Sequence, residues 1–178
     1  MIEAACRRTF VLCLAALAGT AGCNTPPDLS NRTEEEPPRL ASVVRVADPQ
    51  TASQLVAGWY PAGQNAWRWT ARQFAVVLRP PIGAARTGAV LTLQFALPEV
   101  VLTRLKSVTL TASVAGASLA AQTYARPGDC TYVRDIPARL LVGDAVRIDF
   151  ALDKALRPGA VDPRELGLIG VWVGMEAR

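Results

Sequence analysis

The amino-acid sequence predicts an all-β domain over residues 40–178, an antiparallel β-sandwich of about nine strands in a jelly-roll arrangement. Three observations favour this fold class. Apolar and polar residues alternate with period two along most of the region. Short runs rich in proline and glycine separate the alternating stretches, as turns do between strands. No amphipathic helix longer than two turns is visible in the pattern.

The clearest candidate strands are Leu91–Leu97, Val108–Val114 and Val146–Leu152, in which every second residue is apolar. Side chains two apart leave a strand on the same face, so each of these strands is expected to bury one face. In chain order, the remaining candidates are Ser42–Ala47, Gln54–Tyr60, Trp67–Arg79, Ser118–Tyr124, Ala138–Val142 and Leu166–Met175. The turns expected between strands include Pro80–Gly83, Arg126–Asp129 and Arg157–Gly159.

The last candidate strand is apolar on both faces, with Val171 and Val173 on one side and Leu168 and Trp172 on the other. A strand that is covered on both sides is expected at the centre of a sheet. We therefore predict a central position for it, with Trp172 in the core beneath loops or in a groove.

The N-terminus is predicted to be a targeting signal. Arg7 and Arg8 precede a short apolar stretch, Thr9–Ala18, which is too short to span ~30 Å of hydrocarbon as a helix. Small residues then run directly into Cys23. This arrangement resembles the lipobox of bacterial lipoproteins, although Thr20 stands where leucine is usual.

The resemblance implies a lipoprotein signal peptide at residues 1–22 and lipidation of Cys23, which would tie the protein to a membrane. An ordinary secretory signal is the alternative. Asn24 is not the aspartate that often marks inner-membrane retention in Gram-negative lipoproteins, so the resemblance favours the outer membrane over the inner one. Residues 23–39, with two Pro-Pro pairs and three consecutive glutamates, are predicted to be a disordered tether.

Composition argues against most catalytic functions. The chain has no histidine, which excludes Ser-His-Asp and Cys-His nucleophilic sites and removes the commonest metal ligand. No phosphate-binding loop or metal-ligand spacing is visible, so we predict no enzyme activity, no cofactor and no metal. A carboxylate-based hydrolase remains the alternative among enzymes, but no pair of acids stands at a recognisable spacing. The net charge of +4 is modest, and the basic residues are scattered singly along the domain, which disfavours nucleic-acid binding.

Cys130 is the one cysteine of the predicted domain, so an internal disulfide is excluded there. Asp129 beside it is expected to raise its pKa, and no histidine can serve it as a base. We predict a buried and unreactive thiol.

Aromatic residues are concentrated in Gly58–Thr70, which holds three of the four tryptophans in a chain that is only 6% aromatic. Such a cluster fills a sandwich core or forms a surface that stacks against a flat ligand. For the second interpretation, the candidate binding residues are Trp59, Tyr60, Trp67, Arg68, Trp69 and Arg72.

The segments Gly58-Trp59-Tyr60, Trp67-Arg68-Trp69-Thr70 and Asp162–Gly167 resemble those of galactose-binding-like jelly rolls, a fold shared with many carbohydrate-binding modules. The resemblance implies a carbohydrate or cell-envelope glycan as the ligand. This chain differs from those domains at Gly63, a position where they often carry glutamate. Asp162 and Arg164 are expected to form a structural ion pair or turn cap. A structural or protein-interaction lipoprotein without a sugar site is the alternative function.

Overall fold

The computed structural model describes residues 40–178, except Asn65 and Val161. The described residues form a mostly antiparallel β-sheet structure with ten strands and few helices, which confirms the predicted all-β sandwich class. The predicted signal peptide, the lipidation site at Cys23 and the tether lie outside the described residues.

The strands are short to medium in length, and two short α-helices interrupt them. In chain order the elements are β1 (Val43–Arg45), β2 (Ala57–Gly63), β3 (Trp67–Leu78), α1 (Ala84–Thr87), β4 (Ala89–Leu97), α2 (Glu99–Leu105), β5 (Val108–Val114), β6 (Ala117–Ser118), β7 (Gln122–Tyr124), β8 (Gly128–Ile136), β9 (Val146–Leu152) and β10 (Ile169–Ala177). Two 3₁₀ helices cover Pro49–Gln54 and Ala138–Leu140. No helix among the described residues is both long enough and apolar enough to cross a membrane.

The strands form one continuous sheet in the order β6-β5-β9-β3-β10-β4-β8, with β1 beside β10, β2 beside β3 and β7 beside β5. The long strand β3 makes the sheet curl, because its first residues pair with β10 and its second half pairs with β9. The two ends of the sheet meet through Tyr132 of β8. Its hydroxyl accepts a hydrogen bond from the Ala112 N–H of β5 (3.3 Å) and donates one to the Ala120 carbonyl (2.8 Å).

The core lies inside this curl and follows from the alternation in the sequence. In β4, β5 and β9, every second residue is buried. Phe74 of β3 and Phe150 of β9 stack with their ring centroids 4.9 Å apart. Burying a phenylalanine side chain contributes roughly 1.5–3 kcal/mol. Burial along the alternating strands therefore stabilises the fold.

Strand β10 is central, as predicted, because it lies between β3 and β4. Trp172 lies in an open groove, as one of the expectations had it, but it is half-buried rather than part of the buried core. The pairing of β10 with β4 shifts by one residue between Gly170 and Trp172. This bulge interrupts the simple alternation from which the packing of Trp172 was predicted.

Other strand expectations differ from the structure: Ser118–Tyr124 is divided between β6 and β7, Ala138–Val142 is not a strand, and Gln54–Tyr60 is a strand only from Ala57. Ala138–Val142 begins instead with a 3₁₀ turn, which Pro137 precedes as the N-terminal cap residue. In the expected strand Gln54–Tyr60, the first residue, Gln54, is the last residue of another 3₁₀ helix. The carboxylate of Asp48 caps the start of that helix by accepting a hydrogen bond from the Gln50 N–H (2.9 Å). Proline at the start of a helical turn and an aspartate cap are favourable local signals that outweighed the apolar pattern.

Candidate functional site

Trp59 is half-buried, packs against the core and has its polar group hydrogen-bonded. Its indole N–H donates to the Ala75 carbonyl (2.9 Å), and its ring meets Phe74 edge-on with the centroids 5.1 Å apart. The ring also lies where a side chain on Gly170 would have to be, since a Cβ there would come within 2.5 Å of it. These contacts hold Trp59 as a structural residue.

The two arginines among the predicted binding residues hold backbone segments together. The Arg68 side chain donates to the Val46 carbonyl and to the Tyr60 carbonyl, the latter at 3.1 Å. The Arg72 guanidinium donates to the Leu152 carbonyl (3.0 Å), and its backbone N–H donates to the carboxylate of Glu165 (3.0 Å). Both side chains have specific protein partners: Arg68 donates through Nε and Nη1, and Arg72 donates through Nε.

Trp67 is half-buried and lies against Gly63. A Cβ on Gly63 would be 2.4 Å from the indole Cη2 of Trp67. The glutamate that the resembled domains often carry at this position would therefore displace the indole. Gly63 and Trp67 form a close contact of their own in place of a carboxylate.

Trp69 is half-buried like Trp67 and packs against the core, and it also lines an open groove of about 350 Å³. The apolar lining beside it comes from Leu156, Leu166 and Val100. The charged lining consists of Arg104 from α2 and, from the segment between β9 and β10, Arg157, Asp162 and Arg164. An aromatic wall with arginines around it is the arrangement that the sequence suggested, but with different arginines.

Thr70 fixes the segment before β10 next to this groove. Thr70 is buried, and its backbone N–H donates to the Leu168 carbonyl (2.9 Å) while its carbonyl accepts from the Gly167 N–H (2.7 Å). Its hydroxyl accepts from the Leu168 N–H (3.2 Å). Leu156 and Leu166 also exchange two backbone hydrogen bonds, at 2.8 and 3.0 Å. The groove therefore has a fixed backbone on both sides.

Asp162 and Arg164 form the ion pair that the sequence predicted. The guanidinium donates to both carboxylate oxygens, at 3.0 and 2.8 Å, and the Arg164 backbone N–H donates to the same carboxylate (2.9 Å). These hydrogen bonds from Arg164 lower the pKa of Asp162 to about 2. The carboxylate is therefore ionised at neutral pH, so it is unsuited to donate a proton as a general acid.

Tyr60 lies next to the same ion pair. The guanidinium carbon of Arg164 lies 5.0 Å from the centroid of its ring, within cation–π distance. Arg164 thus contacts Tyr60 and also lines the groove beside Trp69. Of the predicted binding residues, Tyr60 and Trp69 are brought to one region through Arg164, whereas Trp59, Arg68 and Arg72 do not line this groove.

The sequence interpretation missed Arg104 and Arg157 as groove residues. They lie on α2 and in the segment after β9, far from the aromatic cluster in sequence, and no local motif marks either of them. Trp172 lies in a second open groove of about 660 Å³, and the sequence interpretation missed the residues that line it with Trp172, among them Arg45, Asp48 and Pro49. The cross-strand pairing of Arg45 with Trp172 builds that groove, and it depends on a strand partner that the sequence did not reveal.

Cys130 is half-buried on β8. Burial raises the pKa of its thiol, and the carboxylate of Asp129 raises it further, in the direction expected from the sequence. A thiol with a raised pKa is a weak nucleophile at neutral pH. Among residues 40–178 as described, no cluster of three or more histidine, cysteine or acidic side chains could hold a metal ion.

Comparison with known proteins gives a distant structural likeness. No protein-family model matches the chain, and no curated protein matches it. A solved structure that is distantly similar is an acetyl xylan esterase, Est2A, from the rumen bacterium Butyrivibrio proteoclasticus, with a TM-score of 0.42 and 11% identity. The match covers 78% of this chain and 34% of the esterase chain, so this chain spans about a third of that protein. A likeness at this level carries no information on activity.

Proposed function

We propose that this protein is a membrane-anchored, non-enzymatic lipoprotein of the cell envelope whose β domain binds carbohydrate in the groove beside Trp69. The observation that carries the proposal is the joint presence of a half-buried indole and three arginines in one open groove. Aromatic faces pack against the apolar face of a sugar ring, and guanidinium groups donate hydrogen bonds to its oxygens. The resemblance to galactose-binding-like jelly rolls is consistent with this proposal.

The dimensions of the groove suit a small ligand. Its volume of about 350 Å³ lies at the lower end of the range for small-molecule sites. One or two sugar units would fill it, as the end or a side branch of a longer glycan. Because one aromatic wall offers limited contact area, we expect dissociation constants between about 1 μM and 1 mM.

A glycan array probed with the soluble fragment Leu40–Arg178 tests the proposal. We expect binding to a subset of glycans, loss of that binding in Trp69→Ala and weaker binding in Tyr60→Ala, since Tyr60 supports Arg164 from below. Trp172→Ala is the matched control, because Trp172 lies in the other groove and should retain binding. Circular dichroism of each variant checks that it is folded. A folded wild-type fragment that binds no glycan would refute the proposal.

The membrane anchor is tested separately. When the full chain is expressed in a Gram-negative host supplied with a clickable palmitate analogue, we expect the label on the wild type and none on Cys23→Ser. Fractionation is expected to find the wild-type protein in the outer membrane. Cys130→Ser is the control and should remain labelled. Equal labelling of the wild type and Cys23→Ser would contradict the anchor.

A second candidate function, protein binding, is favoured by the other groove. Trp172 is half-buried, and the adjacent Val171 and Val43 are 38% and 44% exposed. Neighbouring exposed apolar side chains are typical of interaction surfaces. If Trp172→Ala abolishes capture of a partner from envelope extracts while Trp69→Ala does not, protein binding is favoured over glycan binding as the role of the domain.

A further inference from the structure

The charges around Trp69 are unbalanced. Three guanidinium groups line the groove, from Arg104, Arg157 and Arg164, against one carboxylate, from Asp162. That carboxylate is already bound on both oxygens by Arg164. Within the described residues, neither Arg104 nor Arg157 has a carboxylate within salt-bridge distance. The groove therefore presents two guanidinium groups whose charge the described part of the chain does not neutralise.

The two arginines come from different elements. Arg104 lies in the last turn of α2, and Arg157 follows the backbone bridge formed by Leu156. Lys154, between β9 and that bridge, donates to the Leu105 and Ser107 carbonyls at 3.3 and 3.2 Å, which ties the two elements together. The part of the groove lining that Arg104 and Arg157 supply is thus cationic and tied to the rest of the fold.

We infer that the ligand of this groove is an anionic saccharide, a sugar that carries a carboxylate or a phosphate. This inference rests on the proposed carbohydrate function. The sugar ring packs against Trp69, and its anionic group accepts hydrogen bonds from Arg104 and Arg157. Guanidinium groups match the planar geometry of carboxylate and phosphate oxygens and bind them in a bidentate manner. A neutral sugar would leave both cations without a counter-charge and would bind more weakly.

The test compares charged and neutral glycans of matched backbone. The full chain, purified in detergent, is titrated by calorimetry with oligogalacturonate against the neutral galactose oligomer, and with phosphomannan against unphosphorylated mannan. We expect the charged member of at least one pair to bind about tenfold more tightly, because hydrogen bonds to charged groups are stronger than neutral ones. The pair that shows the difference identifies the anionic group. Raising sodium chloride from 0.15 to 1 M should reduce this preference, since the Debye length falls from about 8 to about 3 Å.

Variants then locate the effect. Arg104→Gln and Arg157→Gln should each lower the affinity for the charged glycan by more than they lower the affinity for its neutral partner, so that the two affinities converge. Arg139→Gln, which removes an exposed arginine on the second 3₁₀ helix, is the matched control and should behave as the wild type. Since all three arginines are exposed, the variants should fold normally, and thermal melting checks this.

The outcomes separate this inference from the function on which it rests. If neutral and charged glycans bind equally well, the anionic preference is overturned and the carbohydrate function stands. If the preference persists in both groove variants, the assignment to Arg104 and Arg157 is overturned. If no glycan of either kind binds, both proposals fail.

Discussion

Replacing Thr70 with valine tests how the groove is built. Valine keeps the shape of the side chain but removes the hydroxyl that accepts the Leu168 N–H at 3.2 Å. Both residues are 0% exposed, so water cannot replace the lost acceptor. A buried N–H without a partner costs about 1–3 kcal/mol of unfolding free energy. In a domain of about 140 residues this corresponds to a melting temperature lower by roughly 3–10 °C.

Thermal and guanidinium unfolding of the wild type, Thr70→Val and Thr70→Ser measure this effect. Serine keeps the hydroxyl and loses one methyl group, at about 1 kcal/mol. Hydrogen exchange separates the two causes, because the Leu168 amide should exchange faster in Thr70→Val than in Thr70→Ser. We also expect weaker glycan binding in Thr70→Val, since the segment that carries Asp162 and Arg164 loses an attachment. A Thr70→Val protein that melts within about 1 °C of the wild type, with unchanged exchange at Leu168, would refute this reasoning.

Three further predictions follow from contacts in the fold. Gly63→Ala should lower stability and change the near-ultraviolet circular dichroism, because the new Cβ would lie 2.4 Å from the Trp67 ring; Gly159→Ala, with nothing within 4 Å, should do neither. Tyr132→Phe should lower the unfolding free energy by about 1–3 kcal/mol in denaturant titrations, since its buried hydroxyl bridges two backbone groups, and a change below 0.5 kcal/mol would count against that role. The raised pKa of Cys130 keeps its thiol protonated at pH 8, so iodoacetamide should alkylate the folded protein more slowly than the unfolded one, and equal rates would contradict this.

The regular part of the fold was predictable because its residues follow the period of a strand. The stretches Leu91–Leu97, Val108–Val114 and Val146–Leu152 alternate cleanly, and all three are strands with one buried face. The signal is strong there because one face of each strand packs on the core and the other carries polar side chains.

Strand β8 shows why part of the fold was missed. Pro127 and Gly128 predicted a turn, and β8 begins at Gly128. A weak alternation does exist, since Tyr132 and Ile136 are buried while Thr131 and Val133 between and beside them are exposed. The proline-glycine pair outweighed this weak alternation in the prediction. A glycine at the first position of a strand, however, is compatible both with a preceding turn and with the strand that follows.

The candidate groove could be predicted only in part, for a physical reason. Trp69 and Tyr60 stand out because aromatic residues are rare in this chain. Arg104, Arg157 and Arg164 reach Trp69 through tertiary contacts, and an isolated arginine in a chain with many of them carries no positional signal. The same applies to Arg68, which looked like a ligand donor beside two tryptophans but binds backbone carbonyls of its own chain.

The most direct test of the carbohydrate function observes the indole N–H groups while a glycan is added. Two-dimensional ¹H–¹⁵N NMR resolves each tryptophan, and Trp59 is an internal reference because its N–H is bonded to the Ala75 carbonyl away from the groove. A saturable shift of the Trp69 indole signal with little change at Trp59, during titration with charged or neutral oligosaccharides, is the predicted result. A Trp69 signal that stays in place up to about 10 mM of every oligosaccharide would contradict the account, since any dissociation constant would then lie above the expected upper limit of about 1 mM.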